Sequence, residues 1–218
     1  MTAPRDHAEE KSSVYFDLLE AFKGKGCAVC GLLARDVRAY VFNLLYENVN
    51  DVKMRSRLRQ SLGFCRVHAA LLIHGGNPLG IAIIYQDILQ SLREILSDRD
   101  LVPSGDTKPC PACAHRRAFE QIYVGTAASH IHGDEFDHAL HTSEGLCLDH
   151  LTQLNNCFQD DATRDQLLSL HATKLERSRS NLAEFLRKQD IQFRNETSFP
   201  EEQESCERAI DFLVGNNV

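Results

Sequence analysis

Eight cysteines stand in 218 residues, and six of them fall with two histidines into a repeated pattern. Cys27-Ala-Val-Cys30 is followed, after 34 residues, by Cys65-Arg-Val-His68. The series then recurs: Cys110-Pro-Ala-Cys113, 33 residues, Cys147-Leu-Asp-His150. The offset between copies is 83 residues for the CxxC and 82 for the CxxH. Gly63-Phe64 precedes Cys65 and Gly145-Leu146 precedes Cys147, so the flanks agree as well.

This spacing suits a metal. In CxxC a tight turn lets two sulfurs converge on one ion. In CxxH at a helix start, positions i and i+3 share a face and aim at one point. Three thiolates and one imidazole close a tetrahedral shell, the signature of structural zinc, with no position left for a reactive water. The expectation is two zinc ions per chain. One is held by Cys27, Cys30, Cys65 and His68, the other by Cys110, Cys113, Cys147 and His150. An iron–sulfur cluster is the alternative cofactor. A dithiol redox pair at each CxxC needs a βαβ context, and no alternating strand pattern is present. Free core cysteines would leave the paired histidines unexplained.

The elements that must position these ligands read as helices. Apolar spacing predicts a helix over 12–22, broken by Gly24 and Gly26 before Cys27. A longer one runs from Cys30 to about Glu47 on the stripe Leu33, Val37, Tyr40, Val41, Leu44 and Leu45. Asn50-Asp51 caps a helix over 52–61. After Cys65 a short helix covers 66–73, and the turn Gly75-Gly76-Asn77-Pro78 leads to a long one over 79–96. The second copy offers helices at 113–124 and 134–142, a looser stretch from Gly125 to Gly133, and a short helix from Cys147 to about Phe158. A long helix over 162–189 carries Leu168, Leu175, Leu182 and Leu186 on one stripe. Ser198 as cap and Pro200 in the first turn open a last helix. Its face Cys206, Ala209, Ile210 and Leu213 needs a partner, either the core or a second protomer. The fold expected is all-α: two pseudo-repeated units, each tied by one Cys3His site. The division expected is a first unit over 1–96, a linker over 97–109, a second unit over 110–190 and a C-terminal extension over 191–218.

Composition excludes several classes. Hydrophobic residues make up 43% and charged residues 25%, which is ordinary for a globular chain. No apolar run approaches the roughly 18 residues of a membrane span. The N-terminal tract is polar, unlike a signal peptide, so the cytoplasm is expected. There, disulfide frameworks are disfavoured and metal binding comes first. The net charge of −7 is uneven: +1 over residues 1–108 and −8 over 109–218. An acidic second half opposes a nucleic-acid track.

Other residues have less specific patterns. Lys53, Arg55, Arg57, Arg59 and Arg66 concentrate positive charge beside the first site, as a solvated face or an anion-binding one. Tyr46-Glu47 and Tyr85-Gln86-Asp87 place polar groups in apolar helices, where Glu47 and Asp87 either face solvent or cap neighbouring helices, or else line a pocket as acid/base groups or partners of His68. His130, His132, His138 and His141 crowd the approach to Cys147. Glu135 and His138 have ExxH spacing, but no second ExxH exists to complete a di-iron set. Cys157 and Cys206 match no motif and are expected in the core. No phosphate loop, nucleophile elbow or HExxH is present.

Four strings together resemble a bacterial and archaeal family of unknown function with two tandem CxxC…CxxH units. They are Cys27-Ala-Val-Cys30-Gly-Leu-Leu, Leu44 to Asp51, Gly63 to Ala69, and Leu79 to Asp87. The similarity covers about residues 14–158 and is sharper in the first copy. It implies the duplicated metal module and no reaction. The expected function is therefore a zinc-stabilised, non-enzymatic module that binds a protein partner or acts in regulation, with homodimerisation open. A redox or iron–sulfur protein is the alternative, and a nucleic-acid-binding regulator the third reading.

Overall fold

The computed structural model describes residues 12–74, 77–97, 108–193 and 195–215. Among them every regular element is a helix. In chain order these are α1 (Ser13–Ala21), α2 (Ala28–Tyr46), α3 (Val52–Gln60), α4 (Arg66–His74), α5 (Pro78–Ser97), α6 (Pro111–His130), α7 (Asp134–Thr142), α8 (Leu148–Asn156), α9 (Asp161–Lys188), α10 (Pro200–Gln203) and α11 (Ser205–Val214). No described helix is long and apolar enough to cross a membrane. The N-terminal tract, Gly75 and Gly76 of the expected turn, and most of the expected linker lie outside the described residues.

The chain divides into two compact units, Met1–Leu32 with Gln121–Val218, and Leu33–Glu120. This differs from the expected division into successive halves. The chain passes from one unit to the other inside α2 and again inside α6.

The Leu33–Glu120 unit is built around Val37, Val41, Leu44, Leu45, Leu58, Phe64, Leu72, Ile84 and Ile88. Asn77 joins α5 to the end of α2. Its Nδ2 donates to the Leu45 carbonyl at 2.8 Å, and its Oδ1 accepts the Gly80 N–H at 3.0 Å. A Cβ on Gly80 would meet the Leu45 oxygen at 2.5 Å, so glycine is what admits this approach. Arg55 and Arg59 both donate to Asp87, at 3.1 and 2.6 Å. The expected basic face is thus partly neutralised by α5. Asp87 serves these arginines, and Tyr46 and Glu47 are exposed.

In the other unit Tyr15 of α1 and Phe22, just after it, meet side chains of α6 and α7. Phe22 meets Phe136 edge to face at 5.3 Å, and Tyr15 donates to Glu135 at 2.9 Å. The α6 helix continues through Gly125, where a loose stretch was expected. A mid-helix glycine costs about 1 kcal/mol, and buried Tyr123, Val124, Ala127 and Ile131 anchor the turns on both sides.

On α9 the inward face is Thr163, Leu167 and His171, while Leu168, Leu175 and Leu186 are exposed. Two apolar stripes lie one residue apart here, and spacing alone did not choose between them. On α11 Cys206, Ile210 and Leu213 likewise face outward, with Ser205 buried. Cys157 and Cys206, expected in the core, are exposed. Phe199 rather than Ser198 occupies the cap position of α10, and Glu202 Oε2 accepts its N–H at 3.3 Å.

Lys188, at the end of α9, is buried against Glu202 at 2.7 Å and also donates to the Thr197 carbonyl at 2.8 Å. The ammonium holds the Glu202 carboxyl below its ordinary 4.5. The unfolded chain therefore takes up this proton at higher pH than the folded one. The pair's contribution is full above the ordinary value and is lost as pH falls through the folded one. Protection of the α10 and α11 amides against hydrogen exchange, taken relative to their intrinsic rates, is expected to fall as pH drops below 4.5. Glu202→Gln should remove that acid-dependent step.

Candidate metal centres

Each ligand motif starts a helix. Cys27, Cys65, Cys110 and Cys147 immediately precede α2, α4, α6 and α8. Their carbonyls accept the first helical N–H groups, those of Gly31, Ala69, Ala114 and Leu151, at 2.8–3.0 Å. The second ligand of each motif, three residues on, then lies in the first turn on the same face. Helix starts carry unpaired N–H groups and partial positive charge, which favour thiolates. CxxC was expected as a tight turn leading into a helix at its second cysteine, whereas here the helix already begins at the residue after the first. Gly63 and Gly145, each two residues before the cysteine of a CxxH, have φ of 93° and 98°. The matched Gly-Phe and Gly-Leu flanks seen in the sequence are therefore left-handed residues that turn the chain into the motif.

Among the described residues two groups of ligand atoms converge within 4.8 Å: Cys27, Cys30, Cys147 and His150, and Cys65, His68, Cys110 and Cys113. The eight residues are those expected from the sequence, but the grouping is not. Each CxxC meets the CxxH of the other copy. The helices within each copy are unequal in length. The 19 residues of α2 span about 28 Å, and the nine of α3 about 13 Å. The residues between them are wound into turns, with Asn48 N–H on Asn43 and Asp51 N–H on Asn48, and add little reach. The second copy has the same build, with 20 residues in α6 and nine in α7.

In the first group His150 Nδ1 lies 3.4, 3.3 and 3.1 Å from the sulfurs of Cys27, Cys30 and Cys147, and Cys30 Sγ is 3.6 Å from Cys147 Sγ. In the second, His68 Nδ1 lies 3.2, 3.6 and 3.4 Å from Cys65, Cys110 and Cys113, and Cys65 Sγ is 3.7 Å from Cys113 Sγ. The neighbouring Cys147 and Cys27 sulfurs, with burial, push the Cys30 thiol up. Burial, then the Cys65 sulfur, pushes the Cys113 thiol up to about 12. Three thiolates this close repel one another, and a central cation offsets that repulsion. Both groups could hold a metal ion.

The surroundings of the two groups differ. All four residues of the first are buried. Gly215, just after α11, lies directly on them: a Cβ there would meet Cys30 Sγ at 2.8 Å. Charged residues fasten this arrangement. Arg208 pairs with Glu144 at 3.1 Å and with Glu204 at 3.0 Å, Lys25 pairs with Glu204 at 2.7 Å, and Glu144 accepts the Gly26 N–H at 2.6 Å. In the second group Cys65 and Cys113 are half-buried, and Cys110 belongs to the hydrophobic core.

Sequence reasoning missed His171. It is 1% exposed, and its Nε2 accepts the Leu146 N–H at 3.1 Å beside Cys147. Its Nδ1 lies 2.8 Å from the Leu167 carbonyl, so the ring is neutral with Nδ1 protonated. Burial holds its pKa below 6.5, which favours that form. The available signal was its place one turn after Leu167 on the inner stripe of α9. The His130 and Tyr15 rings lie 4.7 Å apart at a tilt of 47°. His132 and His141 line a cleft of about 850 Å³ with Asp134, Asp137 and Asp165. Glu135 is engaged by Tyr15, and His138 is exposed. Among the described residues none of these joins a convergent ligand group.

Residues 11–105 match a family of unknown function, DUF6062. That stretch contains the first CxxC and the first CxxH. The chain is also 28% identical over 204 residues to an uncharacterized 23.9 kDa protein in the xynA 3′ region of Caldicellulosiruptor sp. strain Rt8B.4, covering 91% of this chain and 99% of that protein. No solved structure matches. These similarities agree with the resemblance read from the sequence.

Two predictions follow from the grouping of the ligands and the loop held by His171. Cys27→Ser combined with Cys65→Ser strikes both groups and should abolish tight metal binding. Cys65→Ser combined with Cys110→Ser strikes one and should leave about one metal per chain. Pairing within each copy would give the reverse result in elemental analysis. His171→Ala should weaken metal binding at the first group by about tenfold, as loss of a supporting hydrogen bond does elsewhere. Chelator competition would read that change, with the second group unaffected.

Proposed function

We propose that the chain is a zinc-stabilised helical module that binds a protein partner or acts in regulation in the cytoplasm. The observation that carries the metal reading is the convergence of three sulfurs and one imidazole nitrogen in each group. A tetrahedron with Zn–S bonds of about 2.3 Å has S–S edges of about 3.8 Å. The Cys30–Cys147 and Cys65–Cys113 separations of 3.6 and 3.7 Å fit that size. An iron–sulfur cluster shares its ligands among several irons and needs wider spacing. The closed ligand set also favours a structural over a hydrolytic role.

Exposed apolar side chains support a protein partner: Leu168, Leu175 and Leu186 on α9, and Ile210, Leu213 and Val214 on α11. The nucleic-acid reading is disfavoured, because Arg55 and Arg59 are occupied by Asp87.

The test is elemental analysis with an absorption spectrum, on protein purified anaerobically without added metal. About two zinc per chain and no visible absorbance is the expected result. Iron with visible thiolate-to-iron absorbance would overturn the zinc assignment.

A further inference from the structure

We propose that the group formed by Cys65, His68, Cys110 and Cys113 is the chain's site of reversible oxidation. A hydroperoxide joins Cys65 to Cys113 as a disulfide and releases the zinc held there, while the other group keeps its own. The inference rests on the zinc reading above.

The two groups have the same donors and nearly the same sulfur spacing, so access separates their reactivity. Cysteine oxidation follows thiolate character and exposure. Cys27, Cys30, Cys147 and His150 are 3, 6, 2 and 1% exposed. Gly215 lies against two of those sulfurs and covers them from that side. The ion pairs of Arg208 and Lys25 bind α11 and the ligand loops together.

Among the described residues the second group is less covered. Its histidine and Cys110 are buried, at 5 and 8%, but Cys65 and Cys113 are half-buried. The two accessible sulfurs are also the pair 3.7 Å apart. A disulfide needs about 2.05 Å, so closure takes a movement of under about 2 Å. Cys65 lies before α4 and Cys113 in the first turn of α6, so the bond would link two helix starts.

The chemistry balances. One thiolate of the pair attacks the peroxide O–O bond, giving a sulfenic acid and hydroxide or alkoxide. The second thiolate displaces hydroxide from that sulfur and forms the S–S bond. Two electrons pass from the two sulfurs to the peroxide, and two protons from solvent convert the expelled anions into water or an alcohol. The zinc, left with Cys110 and His68, dissociates. A dithiol reverses the bond and is itself oxidised, after which zinc rebinds.

The experiment uses the full chain, both native and carrying Cys157→Ser and Cys206→Ser to remove the exposed bystander thiols. Zinc is counted before hydrogen peroxide is added. Release is followed with a chromogenic zinc indicator, and disulfides are mapped by mass spectrometry without reduction. The expected result is release of about one zinc per chain, a Cys65–Cys113 linkage, and retention of the second zinc for at least about tenfold longer. Dithiothreitol with zinc should restore the original stoichiometry. Loss of both zincs at one rate, a Cys110–Cys113 linkage, or first oxidation at Cys27, Cys30 or Cys147 would overturn this inference and leave the zinc reading standing. A chain that carries no zinc before peroxide overturns both.

Discussion

Mutual repulsion of three clustered thiolates, which the helix starts that present them reduce and a metal cation between them would offset, is the constraint on which both units depend. The ligand atoms of each group lie within 4.8 Å of one another, and the imidazole nitrogen is 3.1 to 3.6 Å from each sulfur. At that spacing desolvated anions cannot all persist without a cation. The chain answers with four motifs of one design: a cysteine before a helix, a second ligand in its first turn. Each group takes two such helix starts, one from a CxxC and one from a CxxH. Positive φ at Gly63 and Gly145 brings the chain into the two CxxH motifs, and His171 fixes the backbone next to one of them.

Metal and packing are then coupled. Cys110 and Ala112 are part of the same core as Leu58, Leu72 and Ile84, with Cys65 and Cys113 packed against it. Five helices, α1, α3, α4, α7 and α8, have nine residues each. Helices of that length are marginal alone in water. For α4 and α8, which have a ligand in their first turn, a bound ion adds what so short an apolar face lacks. The surroundings of the two groups nevertheless diverge. One is roofed by the residue that follows α11, with Glu144, Arg208, Glu204 and Lys25 fastening that roof. The other leaves two sulfurs partly accessible. Equal donor sets thus acquire unequal exposure, in part from what the chain does more than fifty residues downstream of Cys147.

What was legible in the sequence was local. Ligand identity, helix type and most helix limits follow from spacing over three to seven residues, and the all-helical fold agrees. The long α6 was cut short in the reading because Gly125 suggests a break, yet buried neighbours on both sides carry the helix across it. The stripe of α9 was ambiguous because Leu167 and Leu168 begin parallel apolar rows, and only tertiary packing selects one. Cys206 follows the same logic, one position from buried Ser205. His171 carries no motif, since its role is a single hydrogen bond to a backbone amide.

The grouping of the ligands was not legible for a sharper reason. Two copies of one motif supply identical donors, so chemistry gives the same answer for either pairing. Chain entropy does not decide between them. Linking Cys30 to Cys147 closes 117 positions, against 35 for Cys30 with Cys65. In the crosslink model that difference is worth about 1 kcal/mol, because the dependence on loop length is logarithmic. Local pattern is silent on the point as well: each CxxC enters a helix of 19 or 20 residues and each CxxH enters one of nine, in both copies alike. The pairing follows instead from how the chain is shared between its two compact units. Cys27, Cys30, Cys147 and His150 all fall in one, and Cys65, His68, Cys110 and Cys113 in the other. The chain changes unit inside α2 and inside α6, in each case after the CxxC. The exchange of partners between copies and the division of the chain into units are therefore one choice, made by packing over more than a hundred residues and not by any short spacing.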